Sequence, residues 1–375
     1  MQLHNNWTVR GLAHEADLPQ DVSLYRLDTP ECFNQYYVVS HEGTRRLMGS
    51  PEVIGYDSYL CMVPSTTEVL RYLRDKACLS SADAGTPAGP VPVEILTILR
   101  GGLNYPLEES CYHADIRVRN MDFLSCERHI ENKQITGLDI KYEKMHAVDG
   151  ATMLIGDILA TGDTFAMCFS HVINFFHRNG GSIRRVIFFT IGGTRAIPLM
   201  EELGAEMKEL WPEFEGISCI FHEGMFTVYT DKGVTGINVP RIDFGWQGGI
   251  VSPEFRRYVL EHDDMLFEKC IIYDGGARRY ELVEHYDEVM EYWNGIKERA
   301  AIIDYPALMA EKIGHPLALP YDEWLTACGY TQLPAAITQP LYDTTQQFLA
   351  RVTGHSLSDI ADRRLSEFSS AADFL

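Results

Sequence analysis

This chain predicts an α/β fold between residues 93 and 253, a mainly parallel sheet with helices on both faces, flanked by an N-terminal mixed segment and a C-terminal helical region. Three observations carry that expectation. Apolar runs at 93–99, 153–159 and 185–191 read as strands buried on both faces, as parallel strands are. Each run leaves through glycine, at Gly101-Gly102, Gly162 and Gly192-Gly193. Between the second and third runs lies a helix that opens after Gly162 and stops at Asn179-Gly180-Gly181, a C-cap signal.

Ahead of the core, residues 1–79 form the mixed segment, with one well-marked helix. Ser65-Thr66-Thr67-Glu68 reads as a capping box, and Val69, Leu70 and Leu73 supply the apolar stripe. Residues 80–92, rich in small residues and proline, read as a linker or a long surface loop. Inside the core, 93–253, further strands are expected at 114–118 and 139–145. The connection at 120–138 is long and polar and carries Arg128 and Lys133. Beyond it, 254–375 reads as mostly helical. Leu282, Val283, Tyr286, Val289, Met290 and Trp293 recur at helical spacing, with Glu281, Glu284, Asp287, Glu288 and Glu291 on the other face. Three roles stay open for this region: a cap over the site, a homodimer interface, or a docking surface for another protein.

With 375 residues, 46% apolar and 23% charged, the chain has the composition of an ordinary globular protein of two domains or one elaborated domain. No apolar run approaches the ~18 residues of a membrane span, and the N-terminus has neither the basic nor the apolar part of a signal peptide. A cytoplasmic location is the resulting expectation. Nine cysteines without a C-x-x-C pair argue for reduced thiols, and Cys168, on the helix after Gly162, is expected to pack. His171 and His177 share that helix but fall on different faces, so no metal pair is expected there. A net charge of −21 opposes binding to nucleic acid or an anionic membrane.

The chemistry concentrates at two strand exits. In Met153-Leu154-Ile155-Gly156-Asp157-Ile158-Leu159 a strand ends near an acid, followed by the turn Ala160, Thr161, Gly162, Asp163 and Thr164. Backbone N–H groups of that turn, the threonine hydroxyls and the positive end of the helix dipole would converge on a phosphomonoester without any lysine. Asp157 can accept hydrogen bonds from sugar hydroxyls. A Walker A loop is excluded by the spacing from Gly156 to Gly162 and by the missing lysine. The plain alternative is an ordinary strand-to-helix turn. At the earlier exit, Arg100, Gly101 and Gly102 form a candidate diphosphate cradle: glycine allows close approach, and the guanidinium pairs with phosphate oxygens. A Gly-rich strand exit beside a surface arginine is the alternative there.

In this order the two motifs resemble the type I phosphoribosyltransferases, over roughly residues 93–249. The likeness is closest to the uracil phosphoribosyltransferase branch: Ile98-Leu99-Arg100-Gly101-Gly102-Leu103 looks like its diphosphate loop, and Leu159-Ala160-Thr161-Gly162 like its phosphate loop. Gly236-Ile237-Asn238-Val239-Pro240 is similar to the segment that opens its base-binding loop. Three departures stand out. Gly156 sits where the family usually carries an acid, Asp163 where the uracil branch typically has glycine, and 241–249 replaces a Gly/Asp-rich loop.

The resemblance implies transfer of ribose 5-phosphate from phosphoribosyl diphosphate to a nitrogenous base, pyrimidine-like or another heterocycle, with release of diphosphate. Its partners would be a sugar phosphate and a heterocyclic base. It implies magnesium carried on the diphosphate, which needs no dedicated protein cage. Asp157 and Arg100 would be the catalytic pair, the first orienting the ribose and the second receiving diphosphate. Asp243, Phe244 and Trp246 are the candidate base contacts, with packing as the alternative for both aromatics. In the family a mobile loop at the place of 120–138 closes over the site; a solvated hairpin is the other reading of that segment. Two rival functions remain: a noncatalytic nucleotide-sensing regulator, favoured by Gly156, and a nucleotide-cleaving hydrolase, hinted at by the altered base loop.

Overall fold

The apolar runs assemble into one sheet. The computed structural model describes residues 7–78, 92–131, 134–229, 243–262, 277–352 and 354–372. Its strands are β1 (Gly11–Leu18), β2 (Val22–Asp28), β3 (Gln35–Ser40), β4 (Val93–Leu99), β5 (Val118–Glu131), β6 (Gln134–Lys144), β7 (Ala151–Leu159), β8 (Ile183–Gly193), β9 (Ile217–Tyr229) and β10 (Asp243–Val251). They lie in the order β1-β2-β3-β9-β8-β7-β4-β5-β6, with β10 paired to β9. From β3 to β5 every neighbouring pair is parallel. The pairs β1–β2, β2–β3, β5–β6 and β9–β10 are antiparallel. The N-terminal segment thus shares the sheet of the core, through β3 beside β9.

The helices are α1 (Glu42–Gly49), α2 (Gly55–Leu60), α3 (Val63–Leu73), α4 (Leu107–His113), α5 (Asp163–Arg178), α6 (Ala196–Leu210), α7 (Pro253–Glu261), α8 (Ala277–Tyr280), α9 (Leu282–Arg299), α10 (Tyr305–Ile313), α11 (Tyr321–Cys328), α12 (Ala335–Val352) and α13 (Leu357–Ala372). Successive side chains of a strand point to opposite faces, so the central strands feed two cores. Met153 and Ile155 pack with Phe165, Phe169 and Met200 of α5 and α6. Leu154 packs on the other face with Leu70, Cys111 and Trp293 of α3, α4 and α9. Helices on both faces of a mainly parallel sheet are what the continuous apolar runs required.

Several local expectations need correction. The strand expected at 114–118 begins only at Val118, because Ala114 closes α4. Of the two readings of 120–138, the structure has the solvated hairpin, with β5 and β6 antiparallel. Its polarity has a physical cause: charged pairs cross the exposed strands, with Lys141 Nζ 2.8 Å from Glu127 Oε2 and His129 Nε2 3.0 Å from Asp139 Oδ1. The Arg128 side chain and Lys133 lie outside the described residues. Ser65 is not a helix cap, since α3 starts at Val63 with a proline in its first turn. Ser65, Thr66, Thr67 and Glu68 are instead buried within that helix. Val283, assigned to the apolar stripe of α9, is exposed, while Tyr286, Val289, Trp293 and Ile296 are buried. Among the described residues no helix is long and apolar enough to cross a membrane.

One feature of the topology opens a crevice. From β4 the chain moves outward to β5 and β6, then returns to place β7 on the opposite side of β4. Strand order therefore reverses between β4 and β7, and the connections leaving their carboxyl ends diverge. In open α/β sheets that divergence opens a crevice for ligands.

Candidate functional site

The crevice is present as a cavity of about 310 Å³, lined by Ile98, Leu99 and Gly101 from the β4 exit, Cys126 from β5, and Asp157, Ile158, Ala160, Thr161, Gly162, Thr164 and Phe165 from the β7 exit. The two motifs, separated by some fifty residues of sequence, meet there. A Cβ added to Gly101 would lie 2.5 Å from Asp157 Oδ1, so the β4 exit reaches the carboxylate only because Gly101 has no side chain. The peptide bond between Leu99 and Arg100 is cis.

At the β7 exit, Gly162 is the N-cap of α5, with φ 82° and ψ −6°, a left-handed conformation that favours glycine. Its carbonyl accepts from the Ala166 N–H at 2.8 Å, which starts the helix beside the cavity that Gly162, Thr164 and Phe165 line. Thr164 is half-buried in the lining. Asp163 is exposed and does not line the cavity. Asp157 Oδ1 accepts from the Ile158 N–H at 2.8 Å, and burial pushes the carboxyl up to about 7. A nearly isolated carboxyl in this position is neutral or charged according to what binds beside it.

Arg100 is arranged differently from the expected diphosphate ligand. Its side chain is 57% exposed, lies outside the cavity lining, and places Nη1 2.9 Å from Glu281 Oε1. That carboxylate raises the guanidinium pKa further. Arg279 donates from Nη1 to the Leu103 carbonyl, so α8 and the start of α9 hold the β4 exit from two directions. Sequence reading assigned Glu281 to a solvated helix face; a partner 181 positions away leaves no local signal.

The base-side expectation is altered. Asp243, Phe244 and the residues after them form β10, antiparallel to β9, with Asp243 opposite Tyr229 and Gly245 opposite Thr227. A bulge follows before Ile250 meets Met225. The segment expected as a base-binding loop is therefore a strand in this part. The side chains of Asp243, Phe244 and Trp246, and residues 236–240, lie outside the described residues.

Tyr105, which sequence reading did not single out, packs behind the β7 exit and does not line the cavity. It is buried, its hydroxyl accepts from the Ile191 N–H at 2.9 Å, and a Cβ at Gly156 would collide with its ring. Burial raises its pKa well above the usual phenol range. Gly156 in place of an acid was the only signal for it.

As for a metal, Asp157 is the single carboxylate of the lining, and no group of three or more His, Cys, Asp or Glu suited to an ion occurs among the described residues. One carboxylate beside the candidate phosphate turn is compatible with a magnesium ion that would be brought by its ligand rather than held in a protein cage.

No family model and no curated protein matches the chain. Among solved structures, it is similar to a hypoxanthine phosphoribosyltransferase from Staphylococcus aureus at 13% identity, over 36% of this chain and 67% of that one, with a TM-score of 0.26. It is similar to a purine phosphoribosyltransferase from Pyrococcus horikoshii at 15% identity, over 43% and 81%, with a TM-score of 0.25. A hypoxanthine phosphoribosyltransferase from Trypanosoma cruzi matches at 10% identity, over 38% and 68%, with a TM-score of 0.27. All three are named for hypoxanthine or purine, and none for uracil, the branch that the sequence motifs resembled.

Proposed function

We propose that the chain transfers ribose 5-phosphate from phosphoribosyl diphosphate to a nitrogenous base and releases diphosphate. The observation that carries this reading is the meeting of Gly101, Asp157 and the turn at 160–164 around one cavity at the strand-order reversal. In this reading the 5′-phosphate is held by backbone amides of the α5 N-terminus and by the hydroxyls of Thr161 and Thr164. Asp157 accepts from the ribose hydroxyls and, once ionised, stabilises the positive charge that develops on the ribose as the diphosphate leaves. Gly101 and Gly102 let backbone amides approach the diphosphate, and Arg100 turns from Glu281 to meet it. Magnesium carried on the diphosphate would supply neutralisation of the departing charge, with Asp157 the carboxylate that would stand beside it. Positioning and electrostatics supply the rate, and no side chain acts as a nucleophile. The acceptor is a flat heterocycle other than unsubstituted uracil, because 241–249 departs from the uracil-type loop.

A second reading, a nucleotide sensor without turnover, is favoured by one observation: the Tyr105 ring occupies the space an acid at position 156 would need. Incubation with phosphoribosyl diphosphate, magnesium and a panel of bases, following released diphosphate, separates the two. Base-dependent release supports the transferase. Calorimetric binding of a nucleoside monophosphate without release supports the sensor, and neither binding nor release at millimolar ligand overturns both.

A further inference from the structure

Cys126 and Cys168 are 42 residues apart in sequence, yet their Sγ atoms lie 3.1 Å from each other. Cys126 is on β5 and contributes to the cavity lining; Cys168 is buried on α5. The register of the hairpin shifts at this point, from Ser125 opposite Tyr142 to Cys126 opposite Ile140, so a bulge in the partner strand accompanies the cysteine. Bulges near active sites re-aim side chains. A disulfide requires the sulfurs at about 2.05 Å, so closing this gap takes a movement of about 1 Å. Cys126 also has a route to solvent, through the cavity it lines. Cys111, Cys219 and Cys328 are buried and do not line this cavity.

We propose that Cys126 and Cys168 are a site of reversible oxidative modification, a thiol pair that a hydroperoxide converts to a disulfide across the wall of the candidate phosphate site. The Cys126 sulfur, as thiolate, attacks a peroxide oxygen; the O–O bond breaks, hydroxide leaves and takes a proton to become water, and Cys126 carries a sulfenic acid. The Cys168 sulfur then attacks the Cys126 sulfur, the S–O bond breaks, and a second water leaves with the Cys168 proton. Two thiols are oxidised and one peroxide is reduced to two waters. A dithiol reductant reverses the link by exchange.

The consequence for the site follows from helix geometry. Thr164 and Cys168 are four residues apart on α5, hence on one face. Pulling Cys168 toward β5 shifts the turn that carries Thr164 and the first helical amides, and removes the Cys126 thiol from the cavity wall. This second step rests on the phosphate reading of that turn. Oxidation therefore weakens phosphoribosyl diphosphate binding by an expected tenfold or more, and reduction restores it.

The test is to treat the full-length protein with stoichiometric hydrogen peroxide, map peptides without reduction, and titrate phosphoribosyl diphosphate calorimetrically before and after. The expected result is a peptide pair joined through Cys126 and Cys168 with loss of two hydrogens, and weakened binding that a dithiol reverses. Cys168→Ala should give no joined pair, and any effect of peroxide on its binding then reports the Cys126 sulfenic acid rather than the cross-link. Absence of the joined pair overturns the modification site, and an intact cross-link with unchanged affinity overturns its control over binding. Should the reduced protein bind no phosphoribosyl diphosphate at all, the functional reading fails while the peptide map still decides the thiol pair.

Discussion

Tyr105 fills, directly over Gly156, the space that any side chain at position 156 would need. Its hydroxyl reaches across to the buried N–H of Ile191 at 2.9 Å, so one ring ties the β4 exit to β7 and β8. Placing an acid at 156 therefore costs the protein twice, through a forced shift of a packed ring and through a carboxylate placed among buried strands. Gly156→Asp is expected to destabilise the fold by about 1–3 kcal/mol or more. Urea unfolding monitored by circular dichroism checks this, and an unchanged midpoint would count against the packing argument. Adding Tyr105→Ala to the same chain should recover part of the loss, because the two positions share one space.

Arg100 and Glu281 set a second expectation. Their contact at 2.9 Å draws the guanidinium away from the cavity, at a place where both side chains meet solvent. Such pairs are worth about 0.2–1 kcal/mol, which converts to a few-fold in an equilibrium constant. Glu281→Gln should then tighten phosphoribosyl diphosphate binding about twofold to fivefold with little effect on melting temperature. If Arg100 meets the diphosphate as proposed, Arg100→Ala should weaken the same ligand and affect ribose 5-phosphate far less. Calorimetric titration of both ligands measures the difference; weaker binding by Glu281→Gln would show that the carboxylate positions Arg100 rather than diverting it.

The parts of this architecture that were legible in sequence are those set by short-range rules. Gly101, Asp157, Gly162 and Thr164 were readable because a buried strand, a glycine exit and a helix start each leave a mark within a few residues, and parallel strands bring such exits to one end of a sheet. What escaped is what two distant segments decide together. The Glu281 partner of Arg100, the Tyr105 ring over Gly156 and the contact between Cys126 and Cys168 all join residues far apart in the chain. At 120–138 the sequence left a loop and a solvated hairpin open together, because an edge pair with solvated faces is as polar as a loop, and the structure has the hairpin. Ser65 misled for a related reason: its hydroxyl bonds the Met62 carbonyl inside a helix that had already begun.

Asp157→Asn separates chemistry from folding. The amide keeps the size of the side chain and can still accept from the Ile158 N–H, so the turn should keep its geometry. Without a charge to stabilise the oxocarbenium-like ribose, turnover is expected to fall by about 10²-fold or more, with a smaller change in the affinity for phosphoribosyl diphosphate. Steady-state kinetics on the folded variant tests this. Undiminished turnover would assign the role to another residue.

The same substitution has a pH signature whose sign can be worked out. Burial holds the Asp157 carboxyl at about 7 in the folded chain, against an ordinary value of 3.8. Between about pH 4 and pH 7 the folded state therefore binds more protons at this group than the unfolded state does, and its contribution to stability is lost as pH rises through the folded value. Glu223, pushed up to about 7 despite accepting from Ser40, His41 and Ser252, gives a slope of the same sign. Buried His222 and His315, lowered to about 3 and about 4, give the opposite slope, because the unfolded state takes up the proton that they refuse. Total stability against pH is thus a poor reporter of Asp157, and the difference between wild type and Asp157→Asn is a good one. The stability advantage of the variant should be small at pH 4, grow through neutrality to roughly 1–3 kcal/mol, and level off above pH 8. Urea midpoints of the two proteins measured in parallel from pH 4 to pH 9 give this curve, and an advantage that shrinks with rising pH would mean that Asp157 is stabilised as a carboxylate in the fold.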